Sequence, residues 1–469
     1  MTQTIRKNLN DHAWARWSAM LFIALMMLFA HMFVDVISQL KELIQLQRGW
    51  TSDVFGTYAG SEYLLNVWGF LIVAGIILDK MGIRFTGELS AIIMLAGACI
   101  KYYAISDAFV GTGLEAWLNS WWVSMPGSAK LASLGFMIFG CGCEMAGITA
   151  SKALAKWFEG KEMALAMGLE MALARVGVFF IFTISPRIAG IGGADPSVVR
   201  PVAFCTALLL IGLICYTIFC LMDKKLDKQL GEVATGEPEE EFKIGDIGKI
   251  FSSRLFWIVA MLCVLYYSAI FPFQKFAANM LQSNLGISAT AAADIFRWFP
   301  VGAALITPFL GWFLDRKGKG ATMLILGSLL MIICHTTFAL VLPAFPSKMI
   351  AFSAIILLGI SFSLVPAALW PSIPKIMDKR YLGSAYSLIF WVQNFGLSGT
   401  PIIIGYALEK TNPGVAEQIA AGVEGATYNY TVPMLLFASL GVLALLFALW
   451  LKADDARNHY GLEQPNIKK

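Results

Sequence analysis

Charge is what this chain lacks. Asp, Glu, Lys and Arg make up 14% of its 469 residues, against about 25% in soluble proteins, which excludes a water-soluble globule. Histidine is scarcer still, with four in all and none at metal-ligand spacing. The eight cysteines (99, 141, 143, 205, 215, 220, 263 and 334) include no CxxC pair and fall in apolar stretches. They read as small packing residues, and no disulfide framework or metal site is expected. No Ser, His and Asp set occurs at matched depth, so the chain is not read as an enzyme and no cofactor is expected. Net charge is +4, too small for a nucleic-acid footprint.

What remains is apolar. Hydrophobic residues reach 58% and mean hydropathy is +0.69, and Val202 to Met222 passes without one Asp, Glu, Lys or Arg. Twelve spans of about 20 residues need about 240 apolar positions, and 58% of 469 supplies about 272. Barrel strands would alternate polar and apolar residues in short segments, so the spans are helices in an all-α membrane protein. Apolar windows place them at 14–37, 56–78, 87–107, 131–153, 162–186 and 200–222, then 254–278, 290–314, 320–341, 347–370, 382–406 and 430–451. The first is too long for a signal-peptide core and lacks a cleavage pattern after it, so it is retained. This divides the chain into an N-terminal six-helix half (1–222), a charged linker (223–253) and a C-terminal six-helix half (254–469).

Orientation follows from the loops. Those at 79–86, 152–162, 223–254, 315–320 and 371–380 hold 17 Lys and Arg, whereas the opposite set holds 7, which puts both termini in the cytoplasm. The loop at 108–130 carries Trp117, Trp121 and Trp122, as suits an interfacial anchor.

An internal repeat is the strongest signal. Gly75-Ile76-Ile77-Leu78-Asp79-Lys80-Met81-Gly82-Ile83-Arg84 follows the second helix, and Gly311-Trp312-Phe313-Leu314-Asp315-Arg316-Lys317-Gly318 recurs 236 residues later. Glycine permits a tight turn, and the aspartate can meet the positive N-terminal end of a neighbouring helix. Asp79, Arg84, Asp315 and Arg316 are therefore expected to form a conformational latch. The pattern resembles the loop signature of the major facilitator superfamily, which implies twelve helices in two six-helix halves around a cavity that opens alternately to each membrane face.

Ionisable residues deep in apolar helices are functional candidates by default. Glu144 lies near the middle of the fourth helix and Arg175 near the middle of the fifth. They could pair with each other as a structural bridge, or line an open wall with their small neighbours. Glu170, about 140° around the helix from Arg175, faces another helix or a proton path. Around these residues the resemblance sharpens to the lysosomal dipeptide transporter family. It covers Glu144 through Trp157-Phe158-Glu159-Gly160-Lys161-Glu162 to Ala174-Arg175-Val176-Gly177, Tyr266-Tyr267 through Pro272-Phe273, Ala368-Leu369-Trp370-Pro371, and Leu382-Gly383-Ser384-Ala385-Tyr386 with Gln393-Asn394-Phe395-Gly396. It implies that Glu144 and Arg175 bind the charged ends of a dipeptide. Tyr266, Tyr267, Trp298, Trp370, Gln393 and Asn394 would supply walls and hydrogen bonds, although plain helix packing explains each aromatic equally well. Asp35, Asp294 and Arg297, at helix ends, suit an outer gate or simple interfacial solvation. Lone His31 and His335 suggest no metal site.

The expected function is alternating-access transport of dipeptides, uniport or proton-linked. The partners are the peptide and the lipid bilayer, and the chain is expected to act as a monomer. A carrier of another organic ion or an amino acid, and a solute sensor that does not transport, remain as alternatives. No acidic-dileucine sorting signal appears near the start, which points to a bacterial inner membrane rather than a lysosomal one.

Overall fold

The computed structural model describes residues 8–159, 161–230, 247–377, 382–423 and 425–465. Every long element among them is a helix, because a backbone in hydrocarbon must satisfy its own hydrogen bonds. In chain order the crossings are α1 (Ala13–Val34); α2, in pieces Ser52–Ser61, Leu64–Val67 and the first arm of Phe70–Ile105; α3, the second arm of that element; α4 (Gly127–Phe158); α5 (Met163–Ile188); and α6 (Val199–Leu230). Then come α7 (Arg254–Leu285); α8 (Ala289–Phe296 and Trp298–Lys317); α9 (Gly320–Thr336, running on through a π-helical turn Thr337–Val341); α10 (Lys348–Ile376); α11 (Leu382–Thr411); and α12 (Thr431–Asn458). Among the described residues, ten stretches are long and apolar enough to span a bilayer by themselves. One of them, Phe70–Ile105, holds the last piece of α2 together with all of α3, and α8 is split at Arg297. Of the expected linker, residues 231–246 lie outside the described residues.

Two ends of the bundle can be told apart. The basic end carries Asp79 to Arg84, Lys152 to Lys161 and Asp315 to Gly320, and the far end carries Asp35, Arg187 and Asp294. At the basic end the repeat has a backbone cause: Gly82 (φ 74°) and Gly318 (φ 72°) both take left-handed turns, conformations open to glycine at little cost.

The expected second helix, 56–78, is not one rod. It starts at Ser52 and breaks at Glu62-Tyr63 and again at Trp68-Gly69, where Gly69 has φ 92°. Carbonyls released by a broken helix need new donors, and α11 supplies two of them. Ser398 Oγ donates to Gly60 O (2.9 Å) and Trp391 Nε1 to Val67 O (2.8 Å). Glycines bring these helices together. A Cβ added at Gly56 would sit 2.3 Å from Pro401 O, and one at Gly405 would sit 2.3 Å from Ser52 O, the small-residue approach that packs helices in lipid. The cysteines pack as expected in six of eight cases; Cys99 is exposed and Cys143 half-buried, and all eight are free. Trp117, Trp121 and Trp122 all present exposed rings.

Candidate functional site

At the far end the first six spans are bound to the last six by buried charge. Lys275, on α7, donates from Nζ to Val34 O (2.9 Å) and Asp35 Oδ1 (3.1 Å) and lies 3.4 Å from Glu62 Oε2. Ser38 Oγ also donates to Asp35 (3.0 Å). All three charged residues are buried. Nearer the surface, Arg187 Nη2 lies 3.0 and 2.9 Å from the two oxygens of Asp294, which Arg297 also meets at 3.1 Å. Gln45 Nε2 donates to Tyr428 (2.9 Å), and Ser52 N donates to Glu409 Oε2 (3.0 Å). The expected gate residues Asp35 and Asp294 thus both reach across between the two sets of helices. Their partners Lys275 and Arg187, together with Glu62, were missed in the sequence, although an ionisable residue in an apolar helix is the signal that picked out Glu144. Lys101, also missed, is wholly buried with Nζ 4.2 Å from the Phe33 ring centroid and 4.4 Å from that of Phe136.

These cross-contacts run from the far end to mid-depth. Among the described residues, the hydrogen bond nearest the basic end is Trp391 to Val67. At that depth Arg175 projects from α5 toward α10, its guanidinium carbon 5.3 Å from the Phe362 centroid. Its Nη1 is buried with no hydrogen-bond partner. Glu144 is half-buried on α4. Among the described residues it makes no ion pair with Arg175; Glu62 and Tyr63 are among its electrostatic neighbours, and Tyr267 and His31 among those of Arg175. The structural-bridge alternative is therefore not what the fold builds.

Facing Arg175 is an aromatic wall from the C-terminal helices. Tyr267 stacks on Phe271 (5.6 Å between centroids) and meets Phe362 edge-on (6.3 Å), and its hydroxyl accepts from Trp370 Nε1 (3.2 Å). Trp370 stacks on Phe390 at 4.8 Å. Two expected members are not in this wall. Tyr266 is buried and turned toward α9, donating to Leu324 O (2.6 Å) beside Ser328. The neighbouring position on a helix points about 100° away, so only one tyrosine of the pair can face the wall. Trp298 sits beside Arg297 near the far end, edge-on to Phe179 and Phe352. Gln393 is buried and accepts from Cys263 Sγ (3.1 Å). Asn394 gives its amide to Phe390 O (2.9 Å), while its Oδ1 is buried and unpartnered.

The basic end shows what the repeat loop does in this conformation. Asp79 Oδ1 pairs with Lys152 Nζ (2.6 Å) rather than with a helix N-terminus. A mobile ammonium one helix away offers a full charge, where the helix end offers about half of one. Arg84 reaches Asp223 (3.0 Å) and Asp227, and Lys156 reaches both at 2.8 and 2.6 Å. Trp157 Nε1 donates to Asp223 Oδ1 (2.9 Å). In the second copy Arg316 lies over the Trp312 ring at 5.2 Å, and Asp315 occupies the place of Asp79 on α8. Glu170 is half-buried on α5. His335 is buried between Phe273 and Phe437, and among the described residues no His, Cys, Asp and Glu group could hold a metal ion.

Comparison with known proteins places this geometry. The family described as Major Facilitator Superfamily matches residues 23–401 and 276–466. The chain is 28% identical over 376 residues to the lysosomal dipeptide transporter MFSD1 of Danio rerio, covering 79% of this chain and 75% of the relative. To the Homo sapiens protein of the same name it is 26% identical over 388 residues, covering 80% and 75%. Among solved structures, a bacterial homolog of the human lysosomal transporter Spinster, inward-facing and unoccupied, matches with TM-score 0.69 at 15% identity, over 94% of this chain and 98% of that one.

Proposed function

Because the chain belongs to the Major Facilitator Superfamily and is a multi-pass membrane transporter rather than an enzyme, we propose that it carries dipeptides by alternating access. The observation that carries this reading is the pair of opposite charges left unpaired at mid-depth. Arg175 has a buried, unpartnered Nη1, and Glu144 stands on the next helix without a cation. Holding a charge at mid-depth without a partner is costly, so an unpartnered cation and an unpartnered carboxylate on neighbouring helices favour a zwitterionic ligand that neutralises both. A dipeptide offers an ammonium for Glu144 and a carboxylate for Arg175, whose planar fork suits it. The Tyr267, Phe271, Phe362 and Trp370 wall tolerates varied side chains through apolar contact, and Asn394 Oδ1 is an acceptor free for a peptide N–H.

The conformation supports the same reading. Among the described residues, the contacts that join the first six spans to the last six are concentrated at the far end, which favours a conformation closed on that side. With the basic end cytoplasmic by the positive-inside rule, that closure fits an inward-facing state of a transporter in a cell membrane of bacterial type. Both relatives are lysosomal dipeptide transporters, which favours the peptide over other organic ions.

The test is counterflow of Ala-Ala into proteoliposomes. Ala-Ala should exchange, while its N-acetylated and C-amidated forms, each lacking one charge, should compete about tenfold to a hundredfold more weakly. Arg175→Ala and Glu144→Gln should each abolish exchange while the purified protein keeps its melting profile. Wild-type exchange by both variants would remove the peptide reading.

A further inference from the structure

Lys275 is an ammonium ion in a built receptor. Around its Nζ stand the Val34 carbonyl at 2.9 Å, the Asp35 carboxylate at 3.1 Å, the Glu62 carboxylate at 3.4 Å and the Phe136 ring, with its centroid at 5.5 Å. A carbonyl, two carboxylates and an aromatic face make up a set suited to binding a primary ammonium. Each of those groups lies on α1, α2 or α4, in the first six spans. The ammonium alone comes from α7, in the other set.

That division has a consequence if the halves separate at the far end, a premise that rests on the alternating-access reading. Lys275 must then leave with α7, and the receptor stays behind on the N-terminal helices, opened toward the far side. Glu62 is the least committed member. Its Oε2 has no hydrogen bond here, and it sits at the break of α2 with Glu144 as an electrostatic neighbour. A small cleft lined by Asp35, Tyr63, Phe271, Pro272, Lys275 and Leu397 already adjoins it.

We propose that Asp35, Glu62 and the Val34 carbonyl form an ammonium subsite on the far-side entry path, occupied by Lys275 in the closed state and by the ammonium of an incoming substrate in the open one. Lys275 is thus a tethered competitor. Its return to the receptor accompanies closure of the far gate, as the substrate's ammonium passes inward to Glu144.

The probe is methylammonium, the smallest ligand with the required head group. In Lys275→Gln it should inhibit Ala-Ala entry from the far side competitively and about tenfold more strongly than in the wild type. It should also raise the melting temperature of the purified variant, a readout that requires no transport. Adding Glu62→Gln should remove both effects, and Na+ at equal ionic strength should produce neither. Equal inhibition constants in the wild type and Lys275→Gln would overturn the proposal, as would inhibition indifferent to Glu62→Gln or reproduced by Na+. Should Lys275→Gln fail to fold, Glu62→Gln alone decides. It should weaken the methylammonium sensitivity of the otherwise wild-type protein, and unchanged sensitivity overturns the subsite. Failure of the wild type to exchange Ala-Ala would sink the peptide reading instead, and the thermal readout would still report on the subsite.

Discussion

A methyl group at Gly56 tests whether the seal between α2 and α11 belongs to one conformer only. In the closed far end that methyl carbon would lie 2.3 Å from Pro401 O and 3.0 Å from the Gly405 Cα. Both obstacles are backbone, so neither can rotate away. Forcing such a contact costs about 1–3 kcal/mol. If the two helices part when the far end opens, the whole cost falls on the closed state, and its population relative to the open one drops about 5- to 150-fold. The matched control is Gly97→Ala. There the added carbon meets Gly135 O at 2.4 Å, but both helices belong to the first six spans and stay together, so the penalty falls on both conformers alike. The assay is labelling of a single cysteine placed at the far-side cleft, with a membrane-impermeant maleimide. Gly56→Ala should label at least fivefold faster than its parent, whereas Gly97→Ala should label at the parental rate with a lower melting temperature. Equal labelling in Gly56→Ala and its parent would show that α2 and α11 do not separate there, and the gating scheme built on that contact would fail.

At the basic end, Asp223 is almost fully buried and accepts from Arg84, Lys156 and Trp157. Because Arg84 and Lys156 are partly exposed and keep Asp227, Asp223→Ala should destabilise by about 1–3 kcal/mol, the cost of the lost charge-assisted hydrogen bonds, read as a fall in thermal midpoint. Asp79→Ala, which loses a partly exposed pair with Lys152, should change stability by less than about 1 kcal/mol. Lys41, outside the spans at the far end, is buried over the Tyr428 ring, and burial lowers its pKa to about 7. Because the unfolded lysine then binds more protons than the folded one above that value, stability should rise with pH from about 7 toward 10. Melting curves should show that slope in the wild type and a flatter one in Lys41→Met. Reporter fusions within 231–246 should read cytoplasmic and those within 108–130 external; the reverse pattern would invert the orientation.

The one-dimensional signals that proved readable were those imposed by the bilayer. The demand for about 20 apolar residues per crossing makes twelve spans visible as runs, and the turn geometry of Gly82 and Gly318 makes the repeat visible as a motif. Glu144 and Arg175 stood out for the same reason, since a charge in a hydrocarbon-length run is conspicuous wherever it points. Direction and partnership are another matter. Whether Tyr266 or Tyr267 faces the wall depends on how α7 is rotated against α9, and that is decided by side-chain packing between helices distant in sequence. The break in α2 at Glu62 is affordable only because Ser398 and Trp391, more than 300 residues away, take up carbonyls the helix no longer satisfies. Asp35 could be solvated or paired as far as its own neighbours show. Lys275, 240 residues on, makes it half of a buried ion cluster, because only tertiary packing brings α1, α2 and α7 to one point and excludes the water that would otherwise have separated them.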